Sequence, residues 1–280
     1  MLLDMLPVKK IYVDSKYKTY DSKSDSNFKF ELGQTCYMPE GTKFFISDCA
    51  IPHTWYTIND FNCKLYLKTE DTSSGQQNDY ILTLSKKTYN GATFATELAN
   101  QINTATGENP TKHFDVTTNE LKLHIGALQF MFFTDKELID GMWNGNNNFS
   151  WNGTTYDKNN LQSANNVISN TSKFSTAYEG SLHQFIKQLN LHPIRNVYIH
   201  ALNLGNFNTI GAKGEQTIIK KILVNANQSE MIFSDYNAGQ MDALDCGKNT
   251  LRQIHFVITN VDGIEIPFYE NHVSFSIVFN

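Results

Sequence analysis

This 280-residue sequence has no apolar run long enough to cross a bilayer as a helix, which argues against a membrane span. The opening Met1-Leu2-Leu3 is broken by Asp4. It has neither the basic flank nor the length of a signal peptide and reads as a short N-terminal arm. Cysteine is sparse: Cys36, Cys49, Cys63 and Cys246 stand far apart with no C-x-x-C, so reduced thiols are expected, two or three of them in strands. The eight histidines form neither H-x-H nor H-E-x-x-H, which argues against a metal site and against a metal-binding cupin. His124, His200 and His255 alternate with apolar residues and are expected to be hydrogen-bonded or solvent-facing.

Other chemistry is missing as well. Gly205, Gly211 and Gly214 share a loop, but their spacing is neither a Walker loop nor G-x-G-x-x-G, and Lys213 precedes the last glycine. No G-x-S-x-G elbow is present and no cysteine sits in a nucleophile context. Nothing singles out a pair among the 28 acidic residues as a glycosidase pair. The net charge of −5 gives no general attraction for a phosphate backbone, so nucleic acid is not an expected partner. The expectation is a non-enzymatic protein with no catalytic residue, cofactor, metal or small-molecule substrate.

What is present is β-strand texture at both ends. Apolar residues make up 40% of the chain and aromatics 12%, a composition suited to ordered sheet. Val273, Phe275, Ile277 and Phe279 alternate with Ser274 and Ser276, and Ile254, Phe256 and Ile258 alternate with Gln253, His255 and Thr259. Asp262-Gly263 supplies turn chemistry between these runs, and the whole stretch reads as the closing wall of an antiparallel β-sandwich. Ile11–Val13, Phe28 to Leu32, Phe44 to Ile51 and Phe61 to Leu67 add strands near the N-terminus. Val197 with Ile199, Ile218 to Val224 and Met231 to Phe233 add strands near the C-terminus.

The middle has a different texture. Asp71 to Asn78 is a polar break, taken as the first domain boundary. Phe94, Leu98 and Ile102 mark one face of a helix stopped by Gly107 and Pro110. A hairpin pattern spans Phe114 to Ile125. Thr134 with Glu137 forms a capping-box signature ahead of Leu138 and Met142. Residues 144–178 are rich in Asn, Ser, Thr and Gly. Trp143, just before this stretch, and Trp151 and Tyr156 within it are the candidate contact residues: they either pin the loop to its own domain or stack on a sugar or a neighbouring subunit. Glu179 to Leu189 reads as a short helix. The expected domains are 1–70 and 190–280 as two halves of one sandwich, with 71–189 an inserted α+β domain.

Three groups of residues together resemble a known family. They are Ala50-Ile51-Pro52-His53-Thr54-Trp55-Tyr56-Thr57-Ile58-Asn59, then Tyr89-Asn90-Gly91 with its following helix and hairpin. The third runs from Val197-Tyr198-Ile199-His200 through Phe207-Asn208-Thr209-Ile210, Gly214-Glu215, Ile219-Lys220-Lys221-Ile222 and Leu244-Asp245-Cys246 to His272-Val273-Ser274-Phe275-Ser276-Ile277. The chain is similar to the penton, or minor capsid, protein of virophages and Polinton-type viruses. The resemblance touches most of the chain except Asn144 to Tyr178. It implies a mainly β fold: a single jelly roll with an insertion domain that projects outward. Five copies would form the icosahedral vertex capsomer against a double-jelly-roll major capsid protein, in a virion assembled inside the host cell. It carries no catalytic residues. A β-sandwich carbohydrate-binding or attachment protein is the alternative.

Overall fold

The computed structural model describes residues 8–140, 150–151, 154–155, 161–169, 176–178, 181–186, 188–204, 209–235 and 243–280. The chain forms two compact units, Met1–Trp55 with Ile194–Asn280 and Tyr56–Pro193. The first unit opens with β1 (Lys10–Asp14), β2 (Asn27–Tyr37) and β3 (Lys43–Pro52). The second begins with β4 (Lys64–Asp71), β5 (Gln77–Thr83), α1 (Gly91–Thr106), β6 (Thr111–Asp115), β7 (Glu120–His124), β8 (Leu128–Phe132) and α2 (Asp135–Ile139). It continues with β9 (Ser150–Trp151), β10 (Thr154–Thr155), α3 (Asn165–Ile168), β11 (Thr176–Tyr178) and β12 (Ser181–Ile186). The first unit resumes with β13 (Asn196–Ala201), β14 (Ile218–Leu223), β15 (Met231–Asp235), β16 (Leu244–Asp245), β17 (Thr250–Thr259) and β18 (Ser274–Phe279).

The first unit is a sandwich of two antiparallel sheets, ordered β1-β18-β3-β15 (with β16 also on β3) and β14-β13-β17-β2. Period-two alternation decides which residues face in. Ile11, Val13, Cys49, Ile51, Ile232, Phe275 and Ile277 come from one sheet, and Phe28, Val197, Ile199, Ile222, Ile254, Phe256 and Ile258 from the other, into one core. Phe256 ties the sheets together: its ring lies 5.0 Å, edge to face, from Phe275 and 5.5 Å from Phe28. Burying a side chain of this size is worth about 1.5–3 kcal/mol.

The closing stretch is not one wall. β17 pairs β2 and β13 while β18 pairs β1 and β3, so the chain crosses between sheets after Thr259. The crossing starts at the turn that Asp262-Gly263 supplies. Gly263 has φ +73°, and Asn260 Oδ1 accepts from the N–H groups of Asp262 (2.8 Å) and Ile264 (3.0 Å).

In the second unit, β5-β4-β8 form a three-stranded sheet and β11-β12-β7-β6 a four-stranded one. Phe94, Leu98 and Ile102 of α1 are fully buried in its core with Leu65, Leu67, Leu121, Leu123 and Phe132. Both α1 and α2 are capped reciprocally at their starts, the second by the box read from the sequence. Asn90 Oδ1 accepts from the Thr93 N–H (2.9 Å), and Thr134 Oγ1 accepts from the Glu137 N–H (3.3 Å) while Glu137 accepts from the Thr134 N–H (2.7 Å). Gly107 ends α1 at φ +78°.

Two expectations are corrected here. The boundary placed after residue 70 falls inside the second unit, because β4 zips onto β5 from Lys64↔Thr83 to Glu70↔Gln77 and onto β8 from Leu67↔Phe132 to Asp71↔Leu128. Asp71 to Asn78 holds the β4–β5 turn, where Asp71 Oδ1 accepts from the Ser73 and Ser74 N–H groups. Residues 181–186 are a strand instead of a helix, since the open edge of β7 pairs them (Gln184↔Leu123, Ile186↔Leu121).

The four cysteines are free and buried, Cys36 and Cys49 within strands. Burial pushes the Cys49 thiol up to about 11 against a bond to the Ser234 carbonyl, and the Cys246 thiol up to about 12. Folded protein at pH 8 is therefore expected to resist a disulfide-exchange reagent and to release four equivalents of signal only in denaturant. Rapid labelling of the folded chain would contradict this burial.

Candidate assembly surface

The first unit's sheets each end in two edge strands, β1 and β15 in one, β14 and β2 in the other. At one flank β1 and β2 border a surface groove of about 470 Å³ lined by Lys10, Tyr12, Asp14, Tyr17, Phe30, Glu31 and Asp48, with the β18 residues Ser274, Phe275 and Ser276. Ile11 and Val13 face the core, so Tyr12 between them must face out, and it is 72% exposed. Tyr17, on the 3-10 turn Ser15–Tyr17 that follows β1, is 69% exposed. Lys10 Nζ lies 5.0 Å from the Tyr12 ring centre and 3.4 Å from Asp48 Oδ2. Burial pushes the Asp48 carboxyl up, but bonds from Ser47 (2.6 Å) and Ser276 (2.9 Å) and the Lys10 charge outweigh it and lower its pKa.

The opposite flank carries β14 and β15, joined by residues 224–230. Cys49 of β3 donates to the Ser234 carbonyl of β15 (3.8 Å), and β14 of the other sheet packs against the same strand β3, which puts both edges on that flank. Leu223 and Phe233 are each 64% exposed, and Met231 is exposed beside them in sequence. Ile199 faces the core opposite Lys220, so Lys220 points inward at an edge. Lys221, opposite Tyr198, faces out.

The β1–β2 connection is anchored at Asp25, whose side chain is 11% exposed. Asp25 Oδ1 accepts from Lys18 Nζ (2.8 Å), His272 Nδ1 (3.0 Å) and Ser15 Oγ (3.2 Å). Ser15 in turn joins Val273 through N–H to carbonyl (2.9 Å) and by accepting at Oγ from the Val273 N–H (3.0 Å). Burial raises the Asp25 pKa, but the Lys18 and His272 bonds prevail and lower it. A carboxyl depressed on folding stabilises fully above its unfolded pKa of about 3.9 and loses that contribution as pH falls through the lower folded value. Stability should therefore drop below pH 4 more steeply in the parent than in Asp25→Asn, as acid titrations of unfolding would show. Parallel curves would contradict the anchor.

His200 and His255 behave as hydrogen-bonded strand histidines. His200 is buried, and its Nδ1 meets Thr217 Oγ1 (3.0 Å) while its Nε2 meets Thr259 Oγ1 (2.9 Å). Burial lowers its pKa, against the charge of Glu215. Burial likewise lowers that of His255, whose Nε2 meets Asn27 Oδ1 at 2.8 Å. Among the described residues no three of His, Cys, Asp and Glu gather as metal ligands. No helix among them is long and apolar enough to cross a membrane.

Of the aromatic residues expected to make contacts, Trp151 is in β9, opposite Thr154, while Trp143 and Tyr156 lie outside the described residues. The exposed Tyr12, Tyr17, Leu223 and Phe233 went unnoticed in the sequence, although an aromatic between Ile11 and Val13 and two hydrophobes flanking Ile232 signal outward apolar side chains.

The architecture is thus a mainly β protein, an antiparallel sandwich interrupted by an α+β unit and exposing apolar side chains at both open flanks. No protein-family model and no curated protein sequence matches the chain. Its fold is similar to that of the mavirus penton protein, with a TM-score of 0.55 and 7% sequence identity over 97% of this chain and 98% of that one. This agrees with the penton resemblance carried by the sequence.

Proposed function

We propose that the chain is a non-enzymatic structural capsid protein, the subunit of a pentameric vertex capsomer in an icosahedral virion. The likeness to the mavirus penton protein across 97% of the chain carries this reading. Strand order supports the finer claim of a jelly roll. With β15 and β16 taken as one strand, the first unit's eight strands run 1-8-3-6 in one sheet and 2-7-4-5 in the other, the order of a double Greek key. The second unit is inserted between the third and fourth of these strands, so the sandwich is built by residues 1–55 and 194–280. Five copies closing by rotation use two different surfaces per subunit, and the two flanks provide them. The partners are then other copies of the chain and a double-jelly-roll major capsid protein. The site is the virion vertex, after assembly inside the host cell.

Co-expression with the major capsid protein of the same genome tests this. Closed shells with this chain at the five-fold positions are expected, with vacant vertices when it is omitted. Shells whose vertices are filled without it would overturn the reading. The carbohydrate-binding alternative predicts glycan-array binding by a monomer that is lost in Trp151→Ala.

A further inference from the structure

We infer that the groove between β1 and β2 is the receptor for the lysine-bearing β14–β15 edge of a second copy. This rests on the ring-forming reading and specifies its contact. The groove's lining holds three carboxylates, Asp14, Glu31 and Asp48, against the single ammonium of Lys10. Beyond the lining, Arg252 lies 3.8 Å from Glu31. The exposed rings of Tyr12 and Tyr17 stand at the same groove. Carboxylates beside aromatic faces form a cation receptor with apolar walls.

The opposite flank presents matching chemistry. Lys221 and Leu223 share the outer face of edge strand β14, Lys220 turns inward at the same edge, and Phe233 is exposed on the outer face of β15, the edge strand of the other sheet. An inward-pointing lysine also blocks plain edge-to-edge strand addition, which leaves side-chain docking as the use of this flank. The two surfaces are different and opposite in charge, so the contact is heterologous and repeats around a ring. In this contact the stem of Lys221 lies along the tyrosine rings, its ammonium reaches Asp14 and Glu31, and Phe233 covers the groove's apolar rim.

Charge reversal on each side tests this. Asp14→Lys/Glu31→Lys (the groove variant) and Lys220→Glu/Lys221→Glu (the edge variant) are each expected to weaken self-association by at least about 30-fold. The chain carrying all four changes should recover closed rings. Mixing the groove variant with the edge variant should give hetero-association, because each then meets an opposite charge. Members of such a mixture must alternate, and alternation cannot close a ring of five, so open chains and pairs are expected. Phe233→Asp and Tyr12→Asp, both at exposed positions, should also dissociate the ring while leaving the melting temperature of the monomer unchanged. A wild-type ring that survives the charge reversals and these two changes overturns the contact and leaves the ring reading intact. A wild-type chain that stays monomeric at every concentration overturns both.

Discussion

Replacing Phe256 by alanine should cost the first unit about 3–5 kcal/mol, the usual range for removing a ring from a packed core. Phe256 has no exposed surface and touches a ring in its own sheet, Phe28, and one in the opposing sheet, Phe275. The cavity therefore opens where the two sheets meet and cannot be filled by one strand relaxing. Phe256→Leu should recover much of the loss. Denaturant unfolding at one fixed protomer concentration measures it, since self-association raises apparent stability by mass action. A loss below about 1 kcal/mol in Phe256→Ala would mean that the sheets do not share this core.

Gly91→Ala sets two effects against each other. Gly91 is the first residue of α1, where alanine is the better helix former by up to about 1 kcal/mol. A Cβ there would overlap the Phe114 ring of β6, and overpacking of this kind costs about 1–3 kcal/mol. The overlap should win, so the substitution destabilises the second unit. Phe114 is only half-buried, which gives the ring a way out and keeps the cost within that range. Gly91→Ala combined with Phe114→Ala separates the terms. The pair should show positive coupling in a double-mutant cycle, with the alanine at residue 91 then neutral or favourable. Additive losses would contradict the close approach.

Much of this fold could be read from alternation and capping. Ile11 with Val13, the Phe275–Ile277–Phe279 run, the four-residue spacing on α1 and the Thr134–Glu137 box all report local rules that the packed structure obeys. Pairing partners were not legible. Leu65 and Leu67 alternate as sandwich residues do, but alternation reports burial and not which sheet is joined, and β4 joined β5 and β8. Leu182, Phe185, Ile186 and Leu189 have helical spacing, yet the unpaired edge of β7 draws residues 181–186 into a strand. Likewise β17 and β18 look like one hairpin until their neighbours place them in opposing sheets.

The assembly surface was legible only in part. Lys220 and Lys221 visibly interrupt the apolar run Ile218 to Val224, but the acidic groove draws on β1, β2, β3 and β18, segments far apart in sequence that only the fold brings together. Tyr12 and Phe233 acquire meaning once the strands beside them are known to be edges.

Sedimentation velocity of the purified chain over a wide concentration range tests ring formation most directly. The account predicts one closed species at five times the 31.9 kDa chain mass, with no larger polymer as concentration rises. A monomer throughout, or a species that stops at a two-fold dimer, would contradict it.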